Sequence, residues 1–146
     1  MINRSFAYLD TSTWIKLYVR ESGSEVARRL IGKYRVLSSA ILLTESFSAL
    51  SRKKEIREID GSQLKRMAKM MKDDVRSVEI INVSDSVLGK SEEIVLTSMA
   101  RTLDAIHIAS ALIFQDMTEI EVTFITSDRK QYEIAQEKGL KAVLVA

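Results

Sequence analysis

Phe6-Ala7-Tyr8-Leu9-Asp10-Thr11-Ser12 is the stretch whose reading decides the fold. Four mostly apolar residues end in a carboxylate, and a hydroxyl-rich turn and a helical pattern follow. This is the signature of a first strand in a parallel sheet, with Asp10 delivered to the strand's carboxyl end. In open α/β folds that end is where ligands bind.

Working outward, the same alternation recurs. Helical spacing is expected over residues 12–19, with Trp14, Ile15, Leu17 and Tyr18 as apolar anchors, and over 24–34. Residues 35–38 read as a second strand and 39–55 as a helix apolar on most sides, hence buried. Asp60-Gly61-Ser62 marks a turn before a helix over 63–75. Residues 78–83 read as a third strand. Ser84 or Asp85 would cap the helix after it, reaching about 99, and Thr102 would cap another over 103–114. A fourth strand over 121–126, a helix over 128–138 stopped by Gly139, and a closing strand over 141–145 complete the pattern. Strands alternating with helices imply α/β architecture, a parallel sheet covered on both faces.

Composition narrows the function. The chain has 146 residues, 46% of them hydrophobic, which suits one globular domain spanning residues 1–146. There is no cysteine, which excludes disulfides, thiolate metal sites and cysteine nucleophiles. No secretory signal and no membrane span are expected, and the cytoplasm is the default compartment. The net charge of +2 leans toward anionic partners but falls short of a basic nucleic-acid arm. With no proline and five glycines, loops should be short.

Four acids stand out. Asp10 and Asp128 each follow a strand and can serve as helix caps, Asp128 with Gln131 reaching back. Asp104 lies in a first helical turn, where an acid is stabilised by the helix pole. Glu45 has the weakest structural explanation. It shares a helix face with Ile41, Leu42 and Ala49, where a carboxylate costs several kcal/mol unless paired or metal-bound. One parallel sheet would place all four near one edge. Clustered carboxylates repel unless a cation screens them or some hold protons. Hard oxygen ligands suit Mg²⁺ or Mn²⁺. Ser12 and Thr126 are the hydroxyls placed to orient ligands or water. His107, the only histidine, lies in an apolar run and reads as a packed, hydrogen-bonded core residue. Arg52, Lys53, Lys54, Arg57, Lys65, Arg66, Lys69 and Lys72 form either a solvated face or a phosphate-backbone track beside the acids. Met67, Met70 and Met71 read as ordinary packing, with an adaptable contact surface as the alternative.

Taken in order, Tyr8-Leu9-Asp10-Thr11-Ser12, the Glu45 helix, Leu103-Asp104-Ala105-Ile106-His107-Ile108-Ala109-Ser110-Ala111, Ile125-Thr126-Ser127-Asp128 and Gly139-Leu140 resemble the PIN-domain ribonucleases. More narrowly the set is similar to the VapC toxins of type II toxin–antitoxin pairs. The resemblance implies a Rossmann-like three-layer α/β/α sandwich with a five-stranded parallel sheet. It implies an Mg²⁺- or Mn²⁺-dependent endoribonuclease that hydrolyses RNA phosphodiester bonds. Asp10, Glu45, Asp104 and Asp128 would be the catalytic and metal-binding acids, with Ser12 and Thr126 in support. It also implies a homodimer, an RNA substrate and a VapB-like antitoxin partner.

Other readings fare less well. A nucleotide-binding domain would carry a glycine-rich loop after the first strand, and Asp10-Thr11-Ser12-Thr13-Trp14 has no glycine. A phosphoryl-accepting receiver or phosphatase would place a second acid near Asp10, where Ser12 stands. A PIN-fold scaffold that binds nucleic acid without cutting it is the remaining alternative.

Overall fold

The computed structural model describes residues 5–146; residues 1–4, part of the expected single domain, lie outside the described residues. The strands are β1 (Ser5–Leu9), β2 (Tyr34–Ser39), β3 (Glu79–Ile81), β4 (Val122–Thr126) and β5 (Lys141–Leu144). The helices are α1 (Thr11–Lys16), α2 (Ser24–Ile31), α3 (Leu42–Glu55), α4 (Gly61–Asp74), α5 (Asp85–Thr97), α6 (Thr102–Thr118) and α7 (Arg129–Glu137). The sheet is parallel throughout, in the order β3-β2-β1-β4-β5.

β1 is central, between β2 and β4, and Ala7, Tyr8 and Leu9 are all fully buried. Burial on both faces is why the strand is a continuous apolar run rather than an alternating one. Tyr8 joins one core, with Phe124, Val87 and Ile94 of α5, the 105–112 segment of α6, and Ile134 and Ala135 of α7. Ala7 and Leu9 join the other, with Trp14 and Ile15 of α1, Ala27 of α2, Leu42 and Leu50 of α3 and Met71 of α4. The result is the expected three-layer α/β/α sandwich. Met71 packs in the core as expected, while Met70 is exposed.

The chain winds outward from β1 to β2 and β3, then crosses back to place β4 on the other side of β1. The strand order therefore reverses between β1 and β4. That topological switch point opens a crevice at the carboxyl ends of these two strands.

Several boundaries differ from the sequence reading, each for a local reason. The helix expected from residue 39 starts at Leu42, because Ser39 ends β2 and the Ala40 N–H still bonds the Ile81 carbonyl at 3.0 Å. Its buried stripe is narrow, limited to Leu42, Ser46 and Leu50. α4 starts earlier than expected because Asp60 forms a capping box with Gln63, both bonds 2.8 Å. Ser84 caps α5 through the Val87 N–H at 3.2 Å. Thr102 does not cap α6; Arg101 occupies that place and makes no side-chain cap bond. β3 is a three-residue edge strand with Glu79 and Ile80 exposed, shorter than the 78–83 strand expected. Short, charged edges of this kind resist pairing with another chain.

Candidate active site

Asp10 caps α1 and sits at the switch point, only 2% exposed. Its N–H extends the β1–β4 ladder to the Ile125 carbonyl at 3.3 Å. Its carboxylate accepts the Thr13 N–H at 3.1 Å, the Ser12 hydroxyl at 2.8 Å from each oxygen, and the Thr126 hydroxyl at 2.6 Å. The two hydroxyls are themselves oriented. Ser12 Oγ accepts the Ser127 N–H at 3.0 Å, and Thr126 Oγ1 accepts the Asp128 N–H at 3.1 Å. Backbone N–H groups thus feed hydroxyls, and hydroxyls feed Asp10. Burial raises the Asp10 pKa, opposed by the His107 ring and by these donors.

Glu45 projects from the first turn of α3 and is half-buried. It pairs with neither arginine nor lysine. Its Oε1 accepts the Thr11 hydroxyl at 2.7 Å and meets His107 Nε2 at 2.5 Å. His107, 1% exposed, also meets the Tyr8 hydroxyl through Nδ1 at 2.7 Å. Burial pushes the Glu45 pKa up. The hydrogen bonds from His107 and Thr11 and the more distant Arg52 charge outweigh that and hold it below its ordinary value.

Asp104 lies in the first turn of α6, half-buried, and Asp128 caps α7 through the Gln131 N–H at 3.0 Å. The Gln131 side chain does not complete a capping box. It crosses to the Asp104 carbonyl at 3.3 Å and is buried there. Asp104 shows that the acids share one field. Burial raises its pKa, and the charges of Asp128 and Asp10 raise it further; His107 opposes and Glu45 adds.

All four acids, with Thr11, Ser12, Arg52, His107 and Gln131, line one cleft of about 260 Å³. Thr126 lies beneath it, fully buried, behind Asp10.

A model of the PIN domain matches residues 7–137. The chain belongs to the PIN domain family. No curated protein matches it in sequence. The PIN fold is shared with several solved structures. A toxin–antitoxin complex from Klebsiella pneumoniae is similar at 17% identity, covering 96% of this chain and 98% of that one, with a TM-score of 0.65. VapC20 from Mycobacterium tuberculosis, described as a sarcin–ricin loop cleaving toxin, is similar at 18% identity over 93% of this chain and 96% of that one, TM-score 0.66. A DNA-bound VapBC from Salmonella typhimurium is similar at 13% identity over 99% and 100%, TM-score 0.67.

The eight basic residues singled out in this PIN domain differ in their surroundings. Arg52 alone of the eight lines the cleft. Lys53 is drawn into ion pairs with Glu21 at 3.4 Å and Glu58 at 3.1 Å. Lys54 lies at the end of α3, Arg57 in the turn after it, and Lys65, Arg66, Lys69 and Lys72 on α4, with Lys72 over the Phe47 ring.

The donor set has the chemistry of a hard divalent-cation site: carboxylate oxygens, flanking hydroxyls, and repulsion at Asp104 that a cation would relieve. Among the described residues no three His, Asp or Glu side chains close around one point. Asp10 and Glu45 are instead held by protein donors.

Three polar lining residues escaped the sequence reading as site residues. His107 and Thr11 were readable in hindsight: His107 stands one helical turn after Asp104, on the same face, and Thr11 directly follows Asp10. Gln131 had a signal too, one turn after Asp128, but it pointed to capping.

Proposed function

We propose that this PIN domain is an endoribonuclease of the VapC kind, hydrolysing RNA phosphodiester bonds with a divalent cation, as the toxin partner of a VapB-like antitoxin. One observation carries the reading: four acids from four separate segments line a single cleft at the switch point, and their charges act on one another there. Likeness to toxin–antitoxin structures over nearly the whole chain supports the same assignment. No helix among the described residues is long and apolar enough to cross a membrane, consistent with action in the cytoplasm. The working form is a homodimer.

Asp10, Glu45, Asp104 and Asp128 would hold Mg²⁺ or Mn²⁺, which supplies charge neutralisation at the scissile phosphate and acidifies water for attack. The chain's own groups do the rest. Ser12 and Thr126 fix the Asp10 carboxylate so that little reorganisation is needed on binding. Arg52, the cation in the cleft wall, meets a phosphate oxygen of the RNA backbone. Water attacks in line, leaving a 5′-phosphate and a 3′-hydroxyl. No covalent nucleophile or general-base histidine is needed, and the single histidine is already engaged by Tyr8 and Glu45.

The test is to map cleavage ends on total RNA with and without Mg²⁺, comparing the wild type with Asp10→Asn. Metal-dependent 5′-phosphate ends should vanish in the variant while its circular dichroism spectrum is unchanged. Undiminished cleavage by Asp10→Asn would sink the assignment. RNA binding without any cleavage by the wild type would instead support the scaffold reading.

A further inference from the structure

A buried relay runs behind Glu45, and neither capping nor core packing accounts for it. Tyr8 lies in the middle of the central strand, fully buried, its ring stacked on Phe124 at 5.4 Å between centroids. Its hydroxyl meets His107 Nδ1 at 2.7 Å. The other ring nitrogen, Nε2, meets Glu45 Oε1 at 2.5 Å and Thr11 Oγ1 at 3.2 Å.

The direction of each proton follows from the chemistry. Ser38 and Ser110 lie beside the Tyr8 hydroxyl but spend their own protons on the Leu9 and Ile106 carbonyls, and His107 Nδ1, at 2.7 Å, is the acceptor the phenol meets. A buried hydroxyl that fails to donate costs about 1–3 kcal/mol, so the Tyr8 proton goes to Nδ1. A phenol is protonated at neutral pH. Nδ1 is then an acceptor, and the ring proton sits on Nε2, aimed at Glu45. Thr11 donates to the same oxygen. Both donors take Oε1, and Oε2 accepts no hydrogen bond from the described residues.

We infer that Tyr8 and His107 are positioning residues: they lock one imidazole tautomer, pin Glu45 by Oε1 and leave Oε2 as the oxygen presented to a divalent cation. This rests on the proposed metal-dependent reading, and it goes beyond the four acids to the groups that aim one of them. Partners of this kind, which orient a ligand from behind, are worth about 10–100-fold in metal affinity.

The chain has one histidine, so its ring nitrogens give a single set of signals in a ¹⁵N-labelled sample. That spectrum should show Nδ1 as the unprotonated acceptor and Nε2 as the protonated nitrogen. Tyr8→Phe removes one oxygen and keeps the stacked ring, so it should fold and show a mixture of tautomers. Mn²⁺ affinity, followed by the electron paramagnetic resonance of the free ion, should fall about 10-fold in Tyr8→Phe and in His107→Leu. His107→Gln keeps a donor facing Glu45 and should restore most of the affinity. In a Glu45→Gln background, Tyr8→Phe should cause no further loss.

If Tyr8→Phe and His107→Leu melt earlier yet bind Mn²⁺ as tightly as the wild type, while Asp10→Asn and Glu45→Gln bind it weakly, the relay is structural only and the inference is wrong. If Asp10→Asn and Glu45→Gln also bind Mn²⁺ undiminished, the metal reading itself fails and the inference falls with it.

Discussion

Replacing Thr126 by valine tests the hydroxyl latch behind Asp10. Thr126 is fully buried at the end of β4, and valine keeps its shape while deleting one oxygen. Two bonds are lost: the donation to Asp10 Oδ2 at 2.6 Å and the acceptance of the Asp128 N–H at 3.1 Å. A hydrogen bond to a charged group contributes about 1.5–3 kcal/mol. Asp128 is exposed, so water can take over its N–H and that loss adds little. The expected cost is therefore about 2–3 kcal/mol. Thr126→Ser makes the opposite cut, keeping the hydroxyl and losing one methyl, for about 1 kcal/mol. Urea unfolding at pH 7.5 with a chelator present should show a lower midpoint for valine than for serine, at unchanged slope. In an Asp10→Asn background the acceptor is neutral, and the valine cost should shrink to about 1 kcal/mol. If serine proves worse than valine, the site is held by packing and the latch contributes nothing.

Asp104→Asn and Glu45→Gln should move stability in opposite directions although both sit in one cleft. The Asp104 pKa is raised, so its contribution is full at low pH and is lost as pH climbs from the ordinary carboxylate range through the raised value. Asparagine removes that loss, and thermal melts in chelator at pH 7.5 should show a gain of about 0.5–1 kcal/mol, allowing for solvent screening at a half-exposed side chain. The gain should fade toward pH 4, and millimolar Mn²⁺ should stabilise the wild type but not the variant. The Glu45 pKa is lowered, so its contribution is present above the ordinary carboxylate range and lost as pH falls through the depressed value. Glu45→Gln should therefore destabilise at pH 7.5 and cease to do so in strong acid. Gly23→Ala addresses the packing of the α2 start against the residues after β5: Gly23 has φ +86°, and a Cβ there would lie 2.7 Å from the Ala146 carbonyl oxygen. A loss of at least about 1–2 kcal/mol in chemical denaturation is expected.

The fold was legible because its signals are local and repeated. Apolar runs such as Ala7-Tyr8-Leu9 and Val122-Thr123-Phe124-Ile125 alternate with helical spacing, and that alternation dictates a covered parallel sheet. The strand order was not legible from periodicity, since nothing local to Val122–Thr126 says that it docks on β1 rather than beyond β3. Boundaries failed where a side chain outbid propensity, as at Asp60. In the site, Glu45 was legible as an acid without a structural excuse, and it lines the cleft with the other three. Thr11 and His107 each stood beside an acid, but their bonds to Glu45 were not legible, because a contact between residues 45 and 107 leaves no mark on either segment. The same limit hid Gln131, whose backbone does what the capping pattern says while its side chain goes elsewhere.

The bond between Thr126 and Asp10 spans 116 positions, and it has a consequence for the moment of synthesis. A nascent chain that stops before Val122 already carries Asp10, Glu45 and Asp104. It lacks β4, and with it the Ile125 carbonyl, the Thr126 hydroxyl and Asp128, so Asp10 faces an open sheet edge. Pairing of strands this distant in sequence is slow, because the loop must close before any contact repays it. The proposed site is therefore among the last parts of the domain to be completed, and it stays open until β4 docks on β1.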